Sequence, residues 1–300
     1  MAYELWCCCA DHGYITCSTI AQYLRQLPNT TELVRPEGRE FTYKNADTGV
    51  YGYFDLYDSP ARESLTTAQR LCNAPLTIIV NLLRPSFFAL ELMPVVEHLC
   101  RRLGLAVIDP QSDFHQFEEA DADRLTRRWN AKNQGLARYL AQRPGLPILR
   151  PYLSVSRSLE TWRFCYERKQ YQERLGAAVV VPSIRFALDV EGHVQRVVDW
   201  RNPAASGISQ VFPPCDYVAL LPAPRSSVSE KMPARYVRSG KVLDSLKEVL
   251  SDAGDAIGNL PMLQVNLLDE ASRAFDRLHS AGAGEQLTQI EPDAFVDCEA

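Results

Sequence analysis

Acidic residues and histidines follow two of the predicted strands, and these residue types can bind a metal ion or transfer protons. Asp11 and His12 come after the first apolar run, and Asp109, Asp113 and His115 come after a later one. Beyond the carboxyl ends of parallel strands, such side chains meet at one edge of a sheet. If the two strands are parallel neighbours, these five residues predict a hydrolase or a metal-assisted enzyme. The alternative is ordinary turn chemistry, because Asp closes Asx turns.

A second polar group lies where an apolar strand gives way to a predicted helix, and it consists of Asn81, Arg84, Ser86 and Glu91. Ser86 fits the N-cap position, where a hydroxyl accepts a backbone hydrogen bond. The free N–H groups of a helix start also attract anions, and Arg84 is placed to assist. The pattern therefore predicts helix initiation and, as an alternative, an anion-binding site.

A long loop, residues 201–214, is rich in Pro, Ser and Gly and is flanked by aromatic residues. Loops of this length in compact domains often bind partners. Trp200, Arg201 and Phe212 would supply the contacts if the rings are exposed, since exposed aromatic residues anchor interfaces. Buried rings would instead fix the loop to the core. The loop is a candidate partner-binding site.

The basic and aromatic segment Arg163–Arg174 raises the alternative of nucleic-acid binding, because such residues neutralise and stack on single strands. Acidic residues interrupt it, and Glu160 is spaced to pair with Arg163 on a solvated helix face. The formal net charge of −5 also lacks the basic balance of a general nucleic-acid binder. Both observations disfavour a nucleic-acid partner, and nucleic-acid binding stays the second alternative.

No Walker, dinucleotide-binding, nucleophile-elbow, HExxH or kinase motif occurs in the sequence. The nine cysteines include no CxxC pair, so neither a zinc site nor a disulfide framework is indicated. Free thiols and the lack of a signal peptide predict a cytoplasmic location. The longest apolar run is too short for a membrane helix. We expect no cofactor and no membrane contact.

The order of elements predicts an α+β fold with mixed sheets and helices packed on one face. Residues 76–108 fit strand–helix–strand, the βαβ unit that usually gives parallel neighbours, and they allow a ferredoxin-like arrangement in the first half. Pro94 is expected to kink or divide the helix of this unit. The cluster Pro144–Pro147 predicts a boundary between subdomains 1–145 and 146–300.

With 46% hydrophobic and 23% charged residues, the chain has the composition of a globular protein. The leading hypothesis is a non-enzymatic cytosolic protein that binds another protein, such as a bacterial toxin-immunity or accessory protein. It rests on the acidic charge, the aromatic residues, the long loop and the lack of a catalytic motif. The enzyme with a strand-end site and the nucleic-acid-binding protein remain the alternatives.

Overall fold

The structure of the chain is a computed structural model that describes residues 1–9, 15–36, 38–57, 76–111, 117–143, 150–203, 207–222, 234–254, 257–281 and 284–298. The chain divides into two compact units. The first comprises Met1–Arg150 together with Phe295–Ala300, and the second comprises Pro151–Ala294. The second unit is thus an insertion into the first.

The first unit is built on one antiparallel sheet of seven strands in the order β2-β3-β4-β5-β1-β6-β7. Its elements are β1 (Ala2–Cys9), α1 (Cys17–Gln26), β2 (Thr30–Arg35), β3 (Gly38–Lys44), β4 (Tyr51–Tyr57), β5 (Leu76–Asn81), α2 (Phe87–Leu103), β6 (Leu105–Ile108), β7 (Glu118–Glu119) and α3 (Ala122–Ala141). The predicted α+β class is confirmed.

Strands β5 and β6, joined by α2, run in the same direction but are not neighbours. Strand β1 lies between them and pairs antiparallel with both. The prediction of parallel neighbours from the βαβ pattern is therefore wrong. The physical reason is the apolar content of β1, since Tyr3 and Leu5 on one face and Trp6 and Cys8 on the other are all buried. A strand that is apolar on both faces belongs in the middle of a sheet.

Helix α2 packs on the sheet at close range. A Cβ atom at Gly52 of β4 would lie 2.9 Å from Leu92 Cδ1, so any side chain there would displace Leu92. The helix continues through Pro94 over 17 residues, which corrects the expected division. Pro94 is exposed, and there water can bond the carbonyl that the proline leaves without an N–H partner. Helix α3 packs against α2.

The C-terminal segment 295–298 completes the core of the first unit. Phe295 is fully buried and its ring lies 6.4 Å from that of Phe87. The buried carboxylate of Asp297 accepts two hydrogen bonds from Ser86, from the backbone N at 2.7 Å and from Oγ at 2.7 Å. Residues 211 positions apart in sequence are thereby joined at the start of α2.

The second unit is built on a five-stranded sheet in the order β13-β12-β10-β9-β16, in which only β10 and β12 pair in parallel. Its elements are α4 (Val155–Leu175), β8 (Val179–Val180), β9 (Ile184–Leu188), β10 (Val194–Arg201), β11 (Ser209–Gln210), β12 (Tyr217–Leu221), β13 (Arg235–Arg238), α5 (Ser239–Leu246), β14 (Leu250–Asp252), β15 (Pro261–Leu263), α6 (Leu268–Ser280) and β16 (Thr288–Ile290). The sheet is mixed, as predicted.

The helices of the second unit cover one face of this sheet. Val198 and Trp200 share that face of β10, because side chains alternate along a strand. Helix α4 packs over Val198 through Phe164, and α6 packs over Trp200 through Phe275. The hairpin of β9 and β10 turns at residues 189–193.

We expect Asp297→Asn to destabilise the first unit by about 1–3 kcal/mol, because a buried amide cannot replace a carboxylate that accepts from both donors of Ser86. Urea unfolding followed by circular dichroism measures the change. The exposed Glu291→Gln is the matched control and should leave the midpoint unchanged. Equal stability of Asp297→Asn and wild type would contradict this account of the segment.

Candidate functional site

The antiparallel course of β1 removes the basis for the strand-end enzyme site. The carboxyl end of β1 at Cys9 pairs with Leu105, which begins β6, so the two carboxyl ends point in opposite directions. Asp11, His12, Asp113 and His115 lie outside the described residues. Asp109 is buried and accepts hydrogen bonds from the Tyr3 hydroxyl at 2.9 Å and from the Gln111 backbone at 2.9 Å.

The second polar group holds the chain together at the start of α2. The Ser86 hydroxyl donates to Asp297 and caps no backbone N–H of the helix, which corrects the predicted capping bond. Arg84 donates to the Tyr51 hydroxyl at 3.1 Å. The Ser86 donors at the start of α2 thus bond an internal carboxylate, and Arg84 is held by a tyrosine hydroxyl.

The remaining members of this group are further apart. Glu91 is buried on α2 and accepts from Tyr43 Oη at 2.9 Å and from Asn45 Nδ2 at 2.8 Å. Asn81 is the last residue of β5 and lies opposite Ala2 of β1. The Glu91 carboxylate therefore belongs to the scaffold of the first unit.

The aromatic residues that flank the long loop are buried. Trp200 is 1% exposed and Phe212 is 3% exposed, with their ring centroids 5.6 Å apart in an edge-to-face pair. This corresponds to the alternative in which the rings fix the loop to the core, so neither ring is an exposed anchor on the surface. Arg201 is exposed at the end of β10.

A buried cation in the second unit organises the polar residues that the sequence analysis did not select. Arg196 lies on β10, on the helix-covered face, and its side chain is 9% exposed. Nη1 donates to Glu160 Oε2 at 2.5 Å, and Nε donates to Asp216 Oδ2 at 3.3 Å. The backbone N of Arg196 also donates to Asp216, at 2.8 Å, and Arg157 forms an ion pair with the same carboxylate.

This arrangement keeps Arg196 charged despite its burial. Burial by itself lowers the pKa of Arg196, but the carboxylates of Asp216 and Glu160 more than offset that effect and raise the pKa above its usual value. Glu160 is therefore paired across space with Arg196, and the expected pair of Glu160 with Arg163 is absent from the described part of the chain. The sequence does indicate a buried charge here. Arg196 occupies the same face of the strand as the apolar Val194, Val198 and Trp200, because all four are spaced two residues apart.

Helix α4 borders a cavity of about 470 Å³ next to this network, called here the larger cavity. Its polar rim consists of Ser156, Glu160 and Arg163. Its apolar wall consists of Leu159, Phe164, Tyr171, Pro214, Ile257 and Leu260. The volume falls in the range of roughly 300–1,000 Å³ that is usual for ligand sites.

A second cavity of about 160 Å³, called here the smaller cavity, shares Pro214 and Leu260 with the first. Its other lining residues are Phe212, Pro213, Cys215, Val218, Ser239, Leu243 and Pro261. Burial raises the pKa of the Cys215 thiol to about 12, so the thiol is neutral at physiological pH. Cys215 is therefore a wall residue and not an activated nucleophile.

One surface group has the composition of a cation site. Asp189, Glu191 and His193 at the tip of the β9–β10 hairpin bring their ligand atoms within 4.8 Å of one another. Burial by itself raises the pKa of Asp189, but hydrogen bonds from His193 N, Gln195 Nε2 and Glu191 N lower it below its usual value. These bonds close the turn and account for the acidic residue at this position.

We expect Arg196→Met to destabilise the second unit by about 1.5–3 kcal/mol, because it removes the buried cation that pairs with Glu160 and leaves the Asp216 carboxylate with Arg157 alone. Arg185→Met is the matched control. Arg185 forms an ion pair with Asp199 near the surface, and such pairs contribute about 1 kcal/mol or less. Urea unfolding compares the two variants. Equal losses would show that the Arg196 network has no special structural role.

Alkylation of Cys215 by iodoacetamide at pH 8.5 should be about tenfold or more slower in the native protein than in urea, because the raised pKa leaves little thiolate. Mass spectrometry after timed quenching follows this cysteine by its own peptide. A native rate equal to the rate in urea would contradict the neutral thiol.

Comparisons of this chain with protein-family models, curated proteins and solved structures gave no match. None of the described helices is long and apolar enough to cross a membrane.

Proposed function

We propose that this protein binds another protein without catalysing a reaction, and that the larger cavity receives an apolar side chain from an extended segment of the partner. The observation that carries the proposal is a hydrogen-bond acceptor and a donor, Glu160 and Arg163, on the rim above an apolar wall. Residues three apart on a helix lie on the same face. A partner's backbone has the complementary groups, an N–H for Glu160 and a C=O for Arg163.

The two rim residues differ in how firmly they are held. Glu160 is fixed by the buried Arg196 at 2.5 Å, so its carboxylate presents an acceptor in a defined position. Among the described residues Arg163 makes no hydrogen bond or ion pair, and its guanidinium can turn toward a carbonyl. A fixed acceptor reduces the ordering cost of binding.

Charge and thiol chemistry support the narrower form of the proposal, a cytoplasmic toxin-immunity or accessory protein. The net charge of −5 favours encounter with a basic partner. The eight cysteines in the described ranges are all free thiols, which fits a reducing compartment. The alternative of a hydrolase has no comparable observation, because the antiparallel course of β1 separates the strand ends on which it depended.

The minimal probe for this proposal is N-acetyl-leucine N-methylamide, which carries one apolar side chain between two peptide groups. We expect it to shift the methyl resonance of Ile257, which lines the larger cavity, in a saturable titration followed by NMR. The glycine analogue should have little effect, because it has no side chain to bury. Equal responses to both probes would contradict the proposal.

A pair of variants locates the binding. Ser156→Trp should fill the larger cavity and weaken binding of the leucine probe at least tenfold, while the exposed position of Ser156 leaves folding intact. Gln170→Trp adds the same ring to an exposed position of α4 away from the cavity and should bind as wild type does. Equal weakening in both variants would place the probe elsewhere.

A further inference from the structure

The two cavities are neighbours, and the wall between them is formed by Pro214 and Leu260. The smaller cavity is lined mainly by carbon atoms of Phe212, Val218 and Leu243. Its volume of about 160 Å³ is close to the engineered apolar cavity of about 150 Å³ that binds benzene. It therefore has room for one side chain of leucine or phenylalanine size.

Hydrogen bonds hold the segment that carries the dividing wall at both ends. The Phe212 backbone N donates to the Pro261 carbonyl at 2.8 Å, and the Asp216 backbone N donates to the Arg196 carbonyl at 2.9 Å. Ser239 Oγ donates to the Cys215 carbonyl at 2.6 Å. Pro213 and Pro214 between these anchors have fixed φ angles and no N–H to satisfy. The separation of the two cavities is thus set by the fold.

We infer that the partner segment presents two apolar side chains to this surface, one for the larger cavity and a second, two residues away, for the smaller cavity beyond Pro214 and Leu260. This inference rests on the proposed function and specifies the segment that it requires. In an extended chain the side chains at positions i and i+2 point to the same side, whereas adjacent side chains point to opposite sides. The recognised pattern is therefore apolar–any–apolar.

Capped tripeptides test the pattern, with the sequences Leu-Thr-Leu, Leu-Thr-Gly, Gly-Thr-Leu and Leu-Leu-Thr. We expect Leu-Thr-Leu to bind about tenfold or more tightly than each of the others, which is the gain expected from burying one further leucine. Methyl NMR assigns the contacts, since Ile257 lines only the larger cavity and Val218 and Leu243 line only the smaller one. Leu-Thr-Leu alone should shift all three residues strongly.

Leu243→Trp should fill the smaller cavity and abolish the gain of the second leucine, while N-acetyl-leucine N-methylamide still binds as to wild type. Leu243→Ala is the second variant, because a bulky ring next to the core can impair folding. It enlarges the smaller cavity and should shift the preference from Leu-Thr-Leu toward Leu-Thr-Phe by about threefold or more.

The outcomes separate this inference from the proposed function. Shifts confined to Ile257, or a gain that persists in Leu243→Trp, overturn the second contact and leave the single-cavity proposal standing. No response of Ile257 to any peptide overturns both. Decanoate is the competing probe. If it shifts Ile257 and Val218 while the peptides do not, the cavities bind a hydrocarbon chain and the peptide pattern is wrong.

Discussion

The burial of one guanidinium is the constraint on which the second unit depends. Arg196 lies on the helix-covered face of its strand, where a charge is stable only if carboxylates surround it. Asp216, directly before β12, and Glu160 on α4 supply these carboxylates. A helix, a central strand and the segment before a second strand are therefore tied to a single side chain.

The candidate site is a consequence of this arrangement. Glu160 on α4, which neutralises Arg196, is also part of the rim of the larger cavity. The Asp216 backbone anchors the segment that contains Pro214. The same interaction thus fixes the acceptor and the dividing wall. Hydrophobic packing alone would fix the orientation of these segments less well. Apolar side chains can rotate and slide against one another, whereas a bidentate ion pair sets both the distance and the angle between its partners.

Much of the local structure was predictable because its causes are local. The strand–helix–strand pattern predicted for residues 76–108 is present as β5, α2 and β6. The position of β1 between β5 and β6 was not predicted, since strand order depends on contacts between distant segments. Its burial on both faces was nevertheless visible in the sequence, where only Glu4 interrupts the apolar run from Tyr3 to Cys8. That run is the sequence property that best matches its central place in the sheet.

The residues of the candidate site and of the polar networks were harder to predict, since their partners lie far away in sequence. Glu160 was assigned to Arg163 by helical spacing, but the tertiary ion pair with Arg196 prevails. Ser86 looked like a helix cap, yet its partner Asp297 comes from the other end of the chain. A charged residue at a core-facing position, as Arg196 is, could have been used to predict a buried network. It could not have identified which carboxylates take part.

The C-terminal segment has a consequence for how the protein is made. Residues 295–298 belong to the core of the first unit but leave the ribosome after the whole of the second unit, which is inserted before them. Phe295 and Asp297 therefore reach Phe87 and Ser86 only when synthesis has passed both units. Domains on nascent chains usually fold in order from the N-terminus. The second unit can therefore complete its fold before the first unit has received Phe295 and Asp297.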